Sequence, residues 1–281
     1  MKVLVTGSDG QLGSALIHEL KKRNIDFFAA NRKNMDLDDE IVTKDVIRDF
    51  APDIVYHCAA YTNVEKAELE KELCFKINVF STKIISQVCS EIGCKFVYIS
   101  TDFVFDGKNN QPYNPQDNPN PINYYGQTKF QGEQEVTKLL KRYFIIRTSW
   151  VFGEIGNNFV SKMLKLSENQ SELKIVSDEY GSPTYTKDLA ISLMDFLESN
   201  SFGIYHLCNE GHCSRYDFVI EIFKTNKVQI ELTPIKANYF DSNVNRPKYT
   251  VLNQNMNPDS LIKINRTWQE ALHDFLNKRA K

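Results

Sequence analysis

The sequence lacks the features that mark membrane, nucleic-acid-binding and metal-centred proteins. No apolar run approaches the roughly 20 residues that span a bilayer, so we predict no membrane partner. The net charge of −2 provides no basic surface, so we predict no nucleic-acid partner. The six cysteines and five histidines are dispersed, and Cys89 and Cys94 form a pair without a second pair to complete a metal site. We therefore predict no metal ligands.

The sequence also has little that would direct the chain out of the cytoplasm. Strand-like residues begin at once between Met1 and Thr6, and they do not have the pattern of a signal peptide. The scattered cysteines are then expected to be reduced thiols. We expect a cytoplasmic protein, and its 42% hydrophobic and 25% charged residues are typical of a globular one.

Short apolar runs alternate with amphipathic stretches over the first 150 residues, which is typical of strand–helix units on a parallel sheet. The predicted strands are Val3–Thr6, Asp26–Ala30, Ile54–Cys58, Phe96–Ser100 and Phe144–Thr148, with less regular ones at Gly203–Cys208 and Gln229–Pro234. The predicted helices are Gln11–Lys22, Asp45–Phe50, Cys74–Ile92 and Tyr125–Lys141. Residues 106–123 hold four of the nine prolines and are predicted to form a loop.

A glycine-rich turn lies between the first strand and the first helix. It reads Gly7-Ser-Asp-Gly10-Gln-Leu-Gly13, and the strand–turn–helix context is the one that a dinucleotide-binding turn requires. Gly7 suits the tight turn, Gly10 the close approach of a pyrophosphate, and Gly13 the packing of helix on strand. The free N–H groups of the helix N-terminus favour an anion. Three loop glycines by chance remain the alternative at this point.

The turn and the alternation together predict an α/β fold. We expect a Rossmann-like doubly wound parallel sheet with a smaller C-terminal α/β substrate-binding domain. At roughly 150 residues per domain, the 281 residues allow one large or two modest units. We predict a dinucleotide-binding domain over 1–150 and a mainly substrate-binding domain over 151–281, with the segment around 186–209 returning to the first.

The residues after the second strand bear on cofactor choice. An NAD-preferring site places an acid there for the adenosine ribose, but this chain reads Ala30-Asn31-Arg32-Lys33. Arg32 can face a 2′-phosphate, which predicts a preference for NADPH with NADH also accepted. Arg32 and Lys33 as surface charges of a turn are the alternative.

Tyr125 and Lys129 form a Y-x-x-x-K pattern on a predicted helix, so both side chains lie on one face. An ammonium ~4 Å from the phenol contributes about 4 kcal/mol at an effective dielectric of 20, which lowers the tyrosine pKa by roughly three. Burial opposes this shift, so the figure is an upper bound. We predict that Tyr125 is a general acid of pKa near 7, with Thr101 at the end of a strand as its partner on a carbonyl.

Several segments together resemble the extended short-chain dehydrogenases/reductases and, within them, the family of dTDP-4-dehydrorhamnose reductases. They are Gly10-Gln-Leu-Gly13, Cys58-Ala-Ala-Tyr-Thr62, Ser100-Thr-Asp-Phe-Val-Phe-Asp-Gly107, Tyr125-Gly-Gln-Thr-Lys129, Arg147-Thr-Ser-Trp-Val-Phe-Gly153, Gly156-Asn-Asn-Phe159, Asp178-Glu-Tyr-Gly-Ser-Pro-Thr184 and Arg246-Pro247. The resemblance implies NAD(P)H-dependent reduction of the C4 keto group of dTDP-4-dehydro-L-rhamnose to dTDP-L-rhamnose, within nucleotide-sugar and cell-surface polysaccharide biosynthesis. The implied partner is a dTDP-linked 4-keto-6-deoxyhexose.

The resemblance also implies residue roles. Tyr125 donates the proton, Lys129 tunes it and holds the nicotinamide ribose, and Thr101 polarises the carbonyl. With the turn and Asn31-Arg32 added, the expected cofactor site comprises Gly7, Gly10, Gln11, Leu12, Gly13, Asn31, Arg32, Asp36, Leu37, Ala59, Ala60, Tyr61, Tyr125 and Lys129. The expected substrate contacts are Thr101, Asp102, Tyr125, Trp150 and Arg246.

Three alternatives stay open. Some relatives dimerise through a magnesium ion held by acidic side chains. In this chain Ser14-Ala15 stand where one of those acids is expected, so no magnesium ligands are identified. Both a monomer and a homodimer therefore remain open. In related dehydratases an acidic residue comes directly after the Thr-Asp pair, whereas this chain has Phe103 there, which disfavours a dehydratase. Another nucleotide-sugar reductase or an epimerase remains open. A non-catalytic NADP-binding subunit that resembles the methionine adenosyltransferase β subunit is the third alternative.

Overall fold

The computed structural model describes residues 1–239 and 244–279, and a parallel β-sheet lies at its centre. Residues 240–243, 280 and 281, which fall in the second predicted domain, lie outside the described residues. The strands are β1 (Lys2–Thr6), β2 (Asp26–Ala30), β3 (Ile54–His57), β4 (Lys95–Thr101), β5 (Tyr143–Thr148), β6 (Val151–Phe152), β7 (Glu172–Val176), β8 (Tyr180–Gly181), β9 (Thr184–Tyr185), β10 (Gly203–His206), β11 (Cys213–Ser214) and β12 (Glu231–Ile235). The central sheet has six of them, all parallel, in the order β10-β5-β4-β3-β1-β2.

Helices cover both faces of this sheet. They are α1 (Gln11–Lys22), α2 (Glu40–Phe50), α3 (Val64–Ala67), α4 (Lys71–Phe75), α5 (Ser81–Ile92), α6 (Tyr124–Leu139), α7 (Phe159–Ser167), α8 (Thr186–Leu193), α9 (Arg215–Asn226) and α10 (Trp268–Arg279). Successive strand residues point to opposite faces, so Val3 and Val5 pack with α1 and α8, while Leu4 packs with α2, α5 and α6. The predicted doubly wound α/β fold is therefore confirmed.

The strand order places a topological switch point between β1 and β3. The chain runs from β1 outward to β2 and then returns to the other side of β1 with β3. Ligands of open α/β sheets bind in the crevice beyond the carboxyl ends of the strands at such a point. In this chain those ends are Thr6 and His57, which are neighbours in the sheet register.

A second hydrophobic core lies outside the central sheet. It is built from α7, α9 and α10 around Phe152, Phe218 and Phe275. Two elements of the second half instead join the first core, because β10 pairs with β5 and α8 packs against α1. The boundary between domains at residue 150 stays a prediction.

The predicted helix Cys74–Ile92 differs from the structure. The chain forms α4, then a π-helical segment over Lys76–Phe80, then α5. Asn78 lies in this segment, accepts a hydrogen bond from the backbone N–H of Tyr61 (2.8 Å) and donates one to its carbonyl (3.1 Å). Such bulges occur often at functional sites, and apolar spacing alone does not reveal them.

Two smaller differences concern the helices. Helix α2 begins at Glu40 rather than at residue 45, because the Asp39 carboxylate accepts hydrogen bonds from the N–H groups of Ile41 and Val42. Helices α7 to α10 were not predicted from the sequence, although the apolar residues of α7 are spaced as regularly as those of α1. No helix of the described ranges is long and apolar enough to cross a membrane.

Candidate active site

A cleft of about 630 Å³ opens at the carboxyl ends of β1, β3 and β4, next to the switch point. It brings together most of the site residues that the sequence predicts. Those that line it are Gly7, Gly10, Gln11, Leu12, Asn31, Arg32, Asp36, Leu37, Ala59, Ala60, Thr101, Asp102, Tyr125, Lys129 and Trp150. Residues from six separate stretches of chain therefore meet in one cleft.

The glycine turn has the geometry that a dinucleotide requires. Gly7 has φ +62°, and a Cβ there would lie 2.8 Å from the Ala59 backbone. A Cβ at Gly13 would lie 2.2 Å from the Gly7 carbonyl, so the helix packs directly on the turn. Gly10 provides no side-chain cap for α1, which leaves first-turn N–H groups for a ligand. A pyrophosphate fits this arrangement.

A buried hydrogen-bond network supports the floor of the cleft. The Thr6 hydroxyl accepts the N–H of Ala59 (3.2 Å) and lies 2.7 Å from His57 Nδ1. The Thr82 hydroxyl donates to the Asn78 carbonyl (2.8 Å) and lies 3.2 Å from His57 Nε2. Each hydroxyl has one proton, so the network assigns the hydrogen of His57 to Nε2. Burial lowers the pKa of His57 to about 3, so this histidine is neutral and positions Thr6 and Ala59.

Tyr125 and Thr101 lie together in the cleft. Tyr125 is in the first turn of α6, where the Asn123 side chain accepts the N–H of Gly126 (2.8 Å). Burial raises the pKa of the Tyr125 phenol, and a hydrogen bond with the Thr101 hydroxyl opposes that rise. The predicted lowering of this pKa towards 7 is therefore wrong for the structure described.

The orientation of Lys129 accounts for this difference. The spacing places Lys129 on the same helix face as Tyr125, but its Nζ lies 4.0 Å from the ring centroid of Tyr98. Lys129 is also buried, which lowers its pKa to about 7, while the charge of Glu133 opposes that lowering. Desolvation is therefore the largest influence on the pKa of both Tyr125 and Lys129.

A buried ion pair holds α6 against the sheet behind the cleft. Glu133 accepts hydrogen bonds from Arg147 Nε (2.9 Å) and Nη2 (2.7 Å), and from the Ser100 hydroxyl (2.6 Å). Both charged side chains are almost fully buried, at 1% and 3% exposed. Glu133 was not predicted from the sequence, although it lies four residues after Lys129 and hence on the same helix face.

Asp102 is a buried carboxyl beside Thr101. It accepts hydrogen bonds from the hydroxyls of Thr101 (3.1 Å) and Thr250 (2.5 Å). Burial raises the pKa of Asp102 to about 6, although both hydroxyls oppose the rise. Thr250 comes from a distant part of the chain, and nothing in the local sequence indicated its role.

Trp150 and Arg215 connect the cleft to a second one. Trp150 adopts φ +44°, and the Arg215 guanidinium lies 3.6 Å from its ring centroid. Burial lowers the pKa of Arg215 to about 10, and Glu179 pairs with it at 3.8 Å. The second cleft, of about 1710 Å³, shares Arg215 with the first. Arg215 was not predicted from the sequence, but Ser214 and Asp217 form a capping box that places it at the start of α9.

Comparisons with known proteins agree with this geometry. The sequence matches the RmlD substrate binding domain family over residues 1–281. The chain belongs to this family. It is 39% identical to the spore coat polysaccharide biosynthesis protein SpsK of Bacillus subtilis, over 99% of this chain and 98% of that protein.

Two solved structures of the same family resemble the fold closely. The dTDP-4-dehydrorhamnose reductase of Clostridium acetobutylicum superposes with a TM-score of 0.97, at 36% identity over 100% of both chains. The dTDP-4-dehydrorhamnose reductase of Bacillus anthracis, solved in complex with NADP, gives a TM-score of 0.95 at 36% identity over 99% of both chains. The likeness therefore extends through both hydrophobic cores.

Three of the predicted site residues do not line the first cleft. Gly13 lies beneath the turn, consistent with its predicted packing role. Tyr61 does not line the cleft, because its hydroxyl donates to Glu70 (2.6 Å). Arg246 lines the second cleft and forms an ion pair with Glu65.

Metal binding has no support from the described residues. Within them, no three histidine, cysteine or acidic side chains are grouped so that they could hold a metal ion.

Proposed function

We propose that this chain reduces the C4 keto group of dTDP-4-dehydro-L-rhamnose to dTDP-L-rhamnose with NADPH, and accepts NADH as well. The observation that carries the proposal is the meeting of Tyr125 and Thr101 in a cleft that opens at the uncapped N-terminus of α1. The full-length family match and the reductase names of its relatives support the same reaction.

Residues at the switch point would hold the nicotinamide cofactor, which would supply the hydride when bound. The backbone N–H groups of Gln11 and Leu12 would bind the pyrophosphate beside Gly10, whose own N–H donates to the Gly7 carbonyl at 2.9 Å, and Asp36 and Leu37 would lie near the adenine. Ala59 and Ala60, held by the Thr6–His57 network, form the wall towards the nicotinamide. The Lys129 ammonium, directed inward from α6, binds the nicotinamide ribose.

Tyr125 supplies the proton to the carbonyl oxygen. A raised pKa keeps its phenol protonated at neutral pH, so the acid form is present when the keto sugar arrives. Thr101 donates a second hydrogen bond to that oxygen after it releases Asp102. One hydride at C4 and one proton at oxygen complete the reduction to the alcohol.

The nucleotide part of the substrate extends from Trp150 into the second cleft. Arg215 and Arg246 line that cleft and carry the positive charge that a diphosphate requires. Asp102 and Trp150 contact the sugar at the junction. The core around α7 and α9 is then the substrate-binding domain, and the segment around 186–209 belongs to the cofactor-binding one. A cytoplasmic location and the choice between monomer and homodimer stay predictions.

A substrate panel tests the proposal. Purified protein is mixed with dTDP-, UDP- and GDP-linked 4-keto-6-deoxy sugars of both stereochemical series, and NADPH absorbance is followed. We expect oxidation of NADPH with the dTDP-linked L-series sugar and little with the others. The Tyr125→Phe variant serves as the control for background oxidation. NADPH binding without turnover on any sugar would instead favour the non-catalytic subunit.

A further inference from the structure

We propose that Asp9 sets the cofactor preference by placing a carboxylate at the binding site of the adenosine ribose 2′ group. This inference rests on the proposed function, because it assumes that a nicotinamide dinucleotide binds in the first cleft, the one lined by the glycine turn. In an NAD-preferring Rossmann site, an acid at the end of the second strand performs this role. Here that strand ends at Ala30 and is followed by Asn31.

The structure brings the glycine turn to the end of β2. The N–H of Ser8 donates to the Ala30 carbonyl at 3.1 Å, and the Asn31 amide Nδ2 donates to Asp9 Oδ1 at 3.3 Å. Asp9 and Asn31 both line the cleft. The carboxylate that is absent at the end of β2 is therefore supplied by Asp9 of the glycine turn.

Asn31 is held so that it presents its amide nitrogen to Asp9. Its side-chain oxygen accepts the N–H of Lys33 at 3.0 Å, and its own backbone N–H donates to Asn34 Oδ1 at 2.8 Å. This leaves Nδ2 for the carboxylate. Because Asn31 is neutral, it orients Asp9 without cancelling its charge.

Two other acids at this end of the cleft also have partners. Asp38 pairs with Lys76 at 3.8 Å, and Asp36 accepts the N–H of Asp38 at 3.1 Å. Arg32 is exposed and lines the same part of the cleft. A 2′-phosphate thus meets Arg32 as an attractive charge and Asp9 as a repulsive one, whereas a 2′-hydroxyl donates a hydrogen bond to Asp9.

The two opposed charges account for the use of both cofactors. Coulomb's law in water-like surroundings predicts about a tenfold effect for one charge facing a phosphate dianion at about 6 Å. The Asp9→Asn variant keeps an oxygen that accepts the ribose hydroxyl but removes the charge. We therefore expect about tenfold tighter NADPH binding and NADH binding within twofold of wild type.

The test measures dissociation constants of NADPH, NADH, 2′,5′-ADP and 5′-AMP on the whole protein by titration calorimetry. Asp9→Ala should weaken NADH and 5′-AMP severalfold, because it also removes the acceptor. Arg32→Ala should weaken NADPH, and the Asp9→Asn/Arg32→Ala double variant should return the NADPH-to-NADH ratio close to that of wild type. Asp26→Asn is the matched control, since Asp26 is exposed at the opposite end of the same strand.

Two results would overturn the inference. If Asp9→Asn tightened NADPH and NADH equally, Asp9 would act on the pyrophosphate and not on the ribose. If it changed the ratio no more than Asp26→Asn does, Asp9 would have no role in selection. The binding assay contains no sugar, so a failure of the proposed reduction, seen as NADPH binding without turnover, is distinguishable from both.

Discussion

Replacement of Asp102 by asparagine is expected to stabilise the protein at neutral pH while it impairs the site. Asp102 is 2% exposed and is held by the hydroxyls of Thr101 and Thr250. A threonine hydroxyl can donate or accept, so both partners can bond to an asparagine amide in the same place. The substitution therefore removes a buried charge and leaves its hydrogen bonds satisfied.

The magnitude follows from the raised pKa of Asp102. Burial moves it from 3.8 to about 6, so the folded state holds the proton over a pH range in which the unfolded state has released it. Folding stability from this group is complete below pH 3.8 and is lost as the pH rises through about 6. The full difference corresponds to about 3 kcal/mol, a large share of the roughly 5–15 kcal/mol of a typical protein.

Urea unfolding of wild type and Asp102→Asn, monitored by circular dichroism, measures this effect. We expect the variant to be about 1–3 kcal/mol more stable near pH 7.5 and within about 1 kcal/mol near pH 4. Asp106→Asn is the control variant, for which we expect the opposite change in folding stability. Although burial raises the pKa of Asp106, hydrogen bonds from Lys108, Asn120 and Tyr113 outweigh it and lower that pKa, so this variant should lose stability at neutral pH. A destabilised Asp102→Asn at pH 7.5 would refute the reasoning.

The sequence predicted the parts of the site that depend on topology. In a parallel sheet all carboxyl ends meet at one edge, so a glycine turn after β1 and Thr101 after β4 must share a cleft. The spacing of Tyr125 and Lys129 placed both on one helix face, and the structure agrees. These predictions succeeded because they needed only strand order and helical periodicity.

The electrostatic predictions failed where burial competes with charge. The sequence placed an ammonium beside the Tyr125 phenol, but it did not reveal that Lys129 is buried over the ring of Tyr98. Arg215 and Asp9 were missed for a related reason. Their roles depend on contacts with Trp150 and Asn31, which are distant in sequence and are brought close only by the packed fold.

Three further substitutions test the chemistry and its support. Tyr125→Phe should lower turnover about 10²–10⁴-fold in the NADPH assay, with the NADPH dissociation constant unchanged. Glu133→Ala leaves the buried Arg147 without its partner and should cost about 3–5 kcal/mol in urea unfolding; a loss below about 1 kcal/mol would contradict that reading. Lys129→Met should remove a pH dependence of NADPH binding. Because burial lowers the pKa of Lys129 to about 7, wild-type affinity should be highest below that pH and weaken as the ammonium loses its proton, while the variant binds weakly at every pH. Equal pH profiles for the two proteins would show that Lys129 does not reach the cofactor.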